Sequence, residues 1–306
     1  MFGTNEIVGA KFFKDAPKDS LFVTSMFFTI QGEGPFSGMP ALFIRLAKCN
    51  LACKFCDTFF DDGDWMTFKQ IEAKAYSTIC DYWNTRGLKV PLWAVAPDRP
   101  EFVAKSSKLG PYPGIVLVVT GGEPLLQPNL YEFLDRQRWT YKTVQIESNG
   151  TFNAKIPPYV KLVCSPKCYE KEGKPQSYLK PTDLILQRAD YLKFVVSADE
   201  TSPYHTVPDW VETWETQHLN KGDLVYISPM NVYNEVPQQS KILRLTKRGD
   251  KITMDKRSTV DEVISFWTPG LLNLEQNQKN HEYAARYCMD NGYKLNLQTH
   301  LYAGLA

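Results

Sequence analysis

Short apolar, β-branched runs that alternate with helix-forming stretches constrain this chain more than any other feature. ALFIRLA (41–47), IVLVVT (115–120), TVQIES (143–148), VKLVC (160–164), LKFVV (192–196), LVYIS (224–228) and YKLNLQT (293–299) each read as a strand. Between the first two, apolar residues recur at helical spacing over 68–84 (Phe68, Ile71, Ala75, Ile79, Trp83), behind a Thr67–Gln70 capping box. Further helices are expected at 128–137, opened by Pro128 in its first turn, at 207–219, and at 281–291, closed by Gly292. Short, continuously apolar strands separated by helices imply an α/β chain whose parallel sheet is covered on both faces. Ligands of such sheets bind beyond the carboxyl ends of the strands, so the residues just after each run are the place to look for chemistry.

Two stretches break the alternation. Residues 86–113 are rich in Pro, Gly and Lys and read as an inserted loop, and 231–270 read as a charged hairpin turning at Gly249-Asp250. Length alone allows two domains, but the expectation is a single domain over 1–306 carrying these two insertions. Thirty-five basic and thirty-four acidic side chains leave a net charge of +1, which argues against holding nucleic acid or polyphosphate by bulk charge. The basic residues Lys241, Arg244, Lys247, Arg248, Lys251, Lys256 and Arg257 are relieved by Asp250 and Asp255 and read as a solvated hairpin. No apolar run of about eighteen residues predicts a membrane span. The first twenty residues lack the apolar core of a secretory signal, so a cytoplasmic location is expected.

The cysteines are unevenly placed. Cys49, Cys53 and Cys56 form a C-x3-C-x2-C run directly after the first apolar strand, whereas Cys80, Cys164, Cys168 and Cys288 are scattered and read as small packing residues. Structural zinc normally takes four protein ligands. Three thiolates from one short loop suit a cubane iron–sulfur cluster with one iron left open, although spacing alone leaves iron–sulfur, zinc and an incidental cluster of cysteines as readings. Other strand ends are polar too: Gly121-Gly122-Glu123-Pro124, Glu147-Ser148-Asn149-Gly150, Ser165-Pro166-Lys167 and Ser228-Pro229-Met230. Paired glycines after a buried strand let backbone approach a ligand closely. Polar groups at successive strand ends describe a half-barrel lined around one ligand.

C-x3-C-x2-C followed by GGEP resembles the radical S-adenosylmethionine (SAM) superfamily. The resemblance implies a partial (β/α)6-type TIM barrel and a [4Fe-4S] cluster on Cys49, Cys53 and Cys56, with SAM chelating the open iron and cleaved to a 5′-deoxyadenosyl radical. It also implies SAM contacts from Gly122, Glu123, Glu147, Ser148, Ser165, Lys167, Ser228 and Met230. A longer segment, FFTIQGEGPFSGMPALFIRLAKCNLACKFCDT, closely resembles the 7-carboxy-7-deazaguanine synthases, and the likeness resumes at TGGEPLLQ, ESNG, SPK and Leu297-Gln298-Thr299-His300. That family converts 6-carboxy-5,6,7,8-tetrahydropterin to 7-carboxy-7-deazaguanine with loss of ammonia, a lyase step in deazapurine (queuosine-type) biosynthesis supported by Mg2+.

Carried over residue by residue, Arg45 is a fork for the substrate carboxylate, and Gln31 and Glu33 meet the amide and guanidine-like edge of the pterin. Gly34, Gly121 and His300 complete the substrate set, and Thr58 contacts magnesium. The resemblance further implies a homodimer and a reductase or flavodoxin-type electron donor, with no membrane or nucleic-acid partner. Two other readings stay open: a radical SAM activating enzyme that acts on a partner protein, and a zinc-binding interaction protein.

Overall fold

The computed structural model describes residues 7–56, 60–96, 110–218, 224–232, 245–248, 251–254 and 273–299. Each apolar run becomes a strand, and further strands join them: β1 (Ser20–Ile30), β2 (Pro40–Leu46), β3 (Asp64–Thr67), β4 (Tyr112–Gly121), β5 (Tyr141–Ser148), β6 (Lys161–Cys164), β7 (Cys168–Lys171), β8 (Lys174–Tyr178), β9 (Tyr191–Val196), β10 (Val225–Pro229), β11 (Leu245–Arg248), β12 (Lys251–Met254) and β13 (Lys294–Leu295). Helices are α1 (Phe68–Asn84), α2 (Leu130–Arg136), α3 (Asp183–Arg188), α4 (Trp210–Gln217) and α5 (Leu274–Asn291). The main sheet runs β13-β10-β9-β6-β5-β4-β2-β1-β3. From β2 to β10 six neighbouring strands lie parallel and in chain order, the arrangement expected of a partial (β/α)6 barrel. The β5–β6 connection is a helix-free loop among the described residues.

The sheet curls far enough for its two ends to meet. Gly34, in the loop after β1, donates its N–H to Asn296 Oδ1 beyond β13 (2.6 Å), and the Thr299 N–H reaches the Gly32 carbonyl (3.2 Å). Alternation along each strand then separates two environments. Leu42, Ile44, Leu46, Ile115, Leu117, Val119, Ile146, Leu162, Leu192, Phe194 and Ile227 belong to the large outer core shared with the helices. Intervening residues face inward: Ala41, Val116 and Val118 pack at one depth, and Arg45, Thr120, Glu147, Lys193 and Ser228 border the pocket above. The strands are therefore apolar on one face and graded from apolar to polar on the other, which their composition alone conceals.

The helix at 68–84 forms as expected, and both hydrogen bonds of its capping box are present. Gly292 ends α5 in the left-handed conformation (φ 73°). Other boundaries shift. Pro128 stands before the Asn129 cap of α2 rather than in its first turn, α4 begins at Trp210, and the last strand shrinks to β13. α5 starts at Leu274, well before 281, because its first turns bury Asn277 and Asn280 instead of apolar residues. Asn280 accepts from the Ala198 N–H (3.0 Å) and donates to the Met230 carbonyl (2.7 Å). The expected hairpin appears as β11 paired with β12; the register Arg248↔Lys251 leaves two residues for the turn, and Gly249 and Asp250 themselves lie outside the described residues. Residues 97–109 of the first expected insertion and most of the second also lie outside them. Among the described residues no helix is long and apolar enough to cross a membrane.

Candidate functional site

The cysteine loop leaves β2 through a sharp reversal. Lys48 adopts a left-handed backbone (φ 72°) that non-glycine residues rarely accept, and it is held there by its N–H to the Phe60 carbonyl (2.7 Å). Beyond it Cys49, Cys53 and Cys56 all border one pocket at the carboxyl ends of the parallel strands. The loop is clamped from several sides. The Lys54 N–H donates to both oxygens of Glu170 on the β7–β8 hairpin (2.9 Å each), Asn50 bonds to Thr151 and Asn149 (2.7 and 2.9 Å), and Phe55 meets Tyr204 edge-on. That hairpin was not anticipated from sequence; it places Cys168 in a strand behind the loop.

Two glycines that border the pocket also seat this loop. A Cβ on Gly121 would lie 2.2 Å from the Leu46 carbonyl oxygen, and one on Gly122 would lie 1.9 Å from that of Lys48. The close approach is thus to neighbouring backbone, which it zips together: Gly122 N–H to Leu46 O (2.8 Å) and Glu123 N–H to Lys48 O (2.9 Å). Glu123 is fully buried and does not border the pocket; its carboxylate accepts from Leu125 N–H, Ser148 Oγ and Asn149 N–H at 2.7–2.9 Å. Burial pushes its carboxyl above the usual range despite these donors.

Across the pocket the construction is ionic. Lys193, on the inner face of β9, places Nζ 2.7 Å from Glu147 Oε2 and 2.9 Å from Glu33 Oε2. Glu147 Oε1 accepts from Gln145 Nε2 (2.8 Å) and Gln31 Nε2 (3.3 Å), while Gln31 Oε1 accepts the Glu33 N–H (3.1 Å). Burial would raise the Glu147 carboxyl, but the Lys193 ammonium outweighs it and holds the group below the carboxylate range. Burial likewise works against the Lys193 charge, and the two carboxylates overcome it to hold the amine above the usual lysine range. Asn296 ties this wall to the chain's far end through Ser228 Oγ (2.7 Å) and Glu33 Oε1 (3.4 Å).

Of the residues singled out from sequence, Gln31, Glu33, Arg45, Gly121, Gly122, Glu147, Ser148, Ser165, Lys167 and Ser228 border the pocket with the three cysteines. Arg45 lies beneath the Phe27–Phe43 stack, its guanidinium 4.8 Å from the Phe27 ring centre. Lys167 donates to Ser165 O and Oγ (2.8 and 2.6 Å). Gly34 and Met230, like Glu123, stand behind the lining: Gly34 is held by Asn296, and Met230 N–H by the Val196 carbonyl. Thr58 and His300 lie outside the described residues. Lys193 and Asn231 border the pocket without having been singled out, as do Asn149 and Gln298, which were named only within longer motifs. For Lys193 a signal existed, a lysine as the second residue of the apolar run LKFVV.

The donor set fits an iron–sulfur cluster. Burial raises the Cys49 thiol far above its usual range, with Glu123 and the other thiols adding to it, and pushes Cys53 up to about 11. Three thiolates cannot share this pocket without added positive charge, which is what iron supplies. The Leu51 N–H already points to Cys49 Sγ (3.4 Å). Among the described residues no three His, Cys, Asp or Glu side chains converge closely enough for a single metal ion. Cys80, Cys164, Cys168 and Cys288 are buried free thiols off the pocket lining.

No protein-family model matches the chain. Curated relatives do. A 7-carboxy-7-deazaguanine synthase from Rhodospirillum rubrum is 33% identical over 237 residues, covering 76% of this chain and 79% of its own length. One from Rickettsia prowazekii is 29% identical over 306 residues, covering 96% of each chain. Among solved structures, a crystal structure of QueE from Escherichia coli aligns with 95% of this chain and 99% of its own, at 16% identity and a TM-score of 0.49.

Proposed function

This chain belongs to the 7-carboxy-7-deazaguanine synthase family, and from that premise we propose that its pocket converts 6-carboxy-5,6,7,8-tetrahydropterin to 7-carboxy-7-deazaguanine with loss of ammonia. The net change is one NH3 and no electrons, so the radical generator is used catalytically. The observation that carries the reading is the pocket's composition: three thiols, the Arg45 fork and the Glu33–Lys193–Glu147 cluster border the same space. When bound on Cys49, Cys53 and Cys56, the [4Fe-4S] cluster with SAM supplies reversible one-electron hydrogen abstraction at substrate C6.

The chain's share is binding, orientation and shielding. Arg45 receives the substrate carboxylate, because its planar fork matches two oxygens and stays charged. Glu33 and Gln31 receive the N–H-rich edge of the pterin, with Gly34 and Gly121 shaping the approach. Gly122, Glu147, Ser148, Ser165, Lys167 and Ser228 offer polar groups to SAM, and Glu123 and Met230 support them from behind. Mg2+ on Thr58 and a substrate contact from His300 are carried by the sequence pattern. A single domain with two insertions, a homodimer, a cytoplasmic setting and a reductase or flavodoxin-type electron donor complete the proposal.

Anaerobically reconstituted protein is the test. With SAM, Mg2+, a reductant and the carboxytetrahydropterin it should form the deazapurine and ammonia. An intact iron–sulfur cluster without turnover would reject the reading. Colourless, zinc-loaded protein lacking iron would support the interaction-protein alternative instead.

A further inference from the structure

Lys193 belongs to none of the motifs that mark this chain, yet it joins the two carboxylates of the pocket. Glu33 comes from the loop after β1 and Glu147 from the end of β5; Lys193 is 160 positions from the first and 46 from the second. Two carboxylates this near each other in a buried pocket repel strongly, and an ammonium between them turns that repulsion into a fixed geometry. The other charged or titratable groups that border the pocket are Arg45 on β2, Lys167 after β6 and the three thiols; the amides of Gln31 and Gln145 that touch Glu147 are neutral.

Counting acceptors shows what this geometry does. Glu147 has three of its about four acceptor sites engaged, one oxygen on Lys193 and the other on two amides. Glu33 is engaged unequally: Oε2 holds Lys193 at 2.9 Å, whereas Oε1 has only a long contact to Asn296 at 3.4 Å. A carboxylate has about four acceptor sites, so Glu33 retains capacity for a ligand edge carrying two N–H donors.

We propose that Lys193 is a positioning residue that sets the pterin-facing Glu33 and the SAM-facing Glu147 together, so that one ammonium fixes the relation between the two ligands. The proposal rests on the roles given to Glu33 and Glu147 above. A displaced hydrogen-abstraction geometry is costly, since a misplacement of about 1 Å can cost about a hundredfold in rate.

The test uses cluster-loaded Lys193→Met and Lys193→Arg, with iron content, SAM affinity measured without pterin, and kcat and KM from pH 6 to 9. Lys193→Met should keep its iron, bind SAM about tenfold more weakly and lose about a hundredfold in kcat/KM. Its acidic limb should move to higher pH, because burial of Glu147 is then opposed only by the Gln31 amide and the Lys167 charge. Lys193→Arg should recover at least about tenfold. If Lys193→Met fails to load iron, Glu33→Gln combined with Lys193→Met removes one charge of each sign; it should load iron yet bind SAM about tenfold more weakly than wild type, because Glu147 still lacks its ammonium.

Kinetics per cluster and a pH profile unchanged within about twofold would overturn the proposal, as would a double variant that binds SAM as tightly as wild type. Should wild-type protein make no deazapurine, the functional reading fails separately. The SAM measurement then decides on Lys193 alone: unchanged affinity in Lys193→Met rejects its positioning role.

Discussion

Glu123 and Glu147 end adjacent strands of the same sheet, are both buried, and are pushed in opposite directions: Glu123 above its ordinary range, Glu147 below. The difference lies in what surrounds them. Glu123 is held by backbone N–H groups and a hydroxyl, and these offset burial only in part. Glu147 has an ammonium at 2.7 Å. The two walls of the pocket follow the same division. Around the cysteines, backbone hydrogen bonds and close-packed glycines fix a loop; opposite them, charged side chains from distant parts of the chain fix each other. A backbone-built wall tolerates no added atoms, and an ion-built wall tolerates no lost charge.

The largest expected effect is on the backbone wall. Gly122→Ala drives a Cβ into the Lys48 carbonyl, so the cysteine loop must move. Stability should fall by about 3 kcal/mol, and the reconstituted protein should carry little iron; near-wild-type stability with full iron would remove the seating role of the GGE segment. Glu147→Gln comes next and should cost about 3 kcal/mol near neutral pH by leaving Lys193 half-paired. Glu123→Gln should cost less, about 1–3 kcal/mol, by turning an NH2 toward groups that donate.

The pH slopes of these two substitutions separate the walls. A carboxyl lowered on folding contributes above its unfolded value of about 4.3 and loses that contribution as pH falls through its folded value, so the cost of Glu147→Gln should shrink in acid. A carboxyl raised on folding contributes most below that value and less as pH rises, so the cost of Glu123→Gln should grow in acid. Denaturant titrations of iron-free protein between pH 3 and 7 read both slopes. Parallel slopes would mean that the two carboxylates share one environment.

The two walls also differed in how far sequence revealed them. C-x3-C-x2-C and GGEP are each legible in a short window, although the wall they build also draws on Asn149, Thr151 and Glu170. The ionic wall joins Glu33, Glu147 and Lys193 across the whole barrel, and no short window contains it. Arg45, Gln31 and Glu33 were legible only through their resemblance to a family segment. The strands were legible because their outer faces are apolar, but the same apolar runs hid the inward-facing Lys193. β1 escaped notice because Thr24, Ser25 and Thr29 interrupt its apolar residues, and the β7–β8 hairpin because its strands are short and polar. The early turns of α5 gave no hydrophobic period because asparagines, bonded to backbone, fill their buried face.

The central claim is that this pocket holds SAM and a pterin together and uses the radical catalytically. The most direct measurement is the number of deazapurine molecules formed per SAM consumed by the reconstituted wild-type protein. The account predicts many products for each SAM lost, with ammonia released one for one with product. Stoichiometric conversion of SAM to 5′-deoxyadenosine without deazapurine would contradict it and point to an activating enzyme acting on a partner protein.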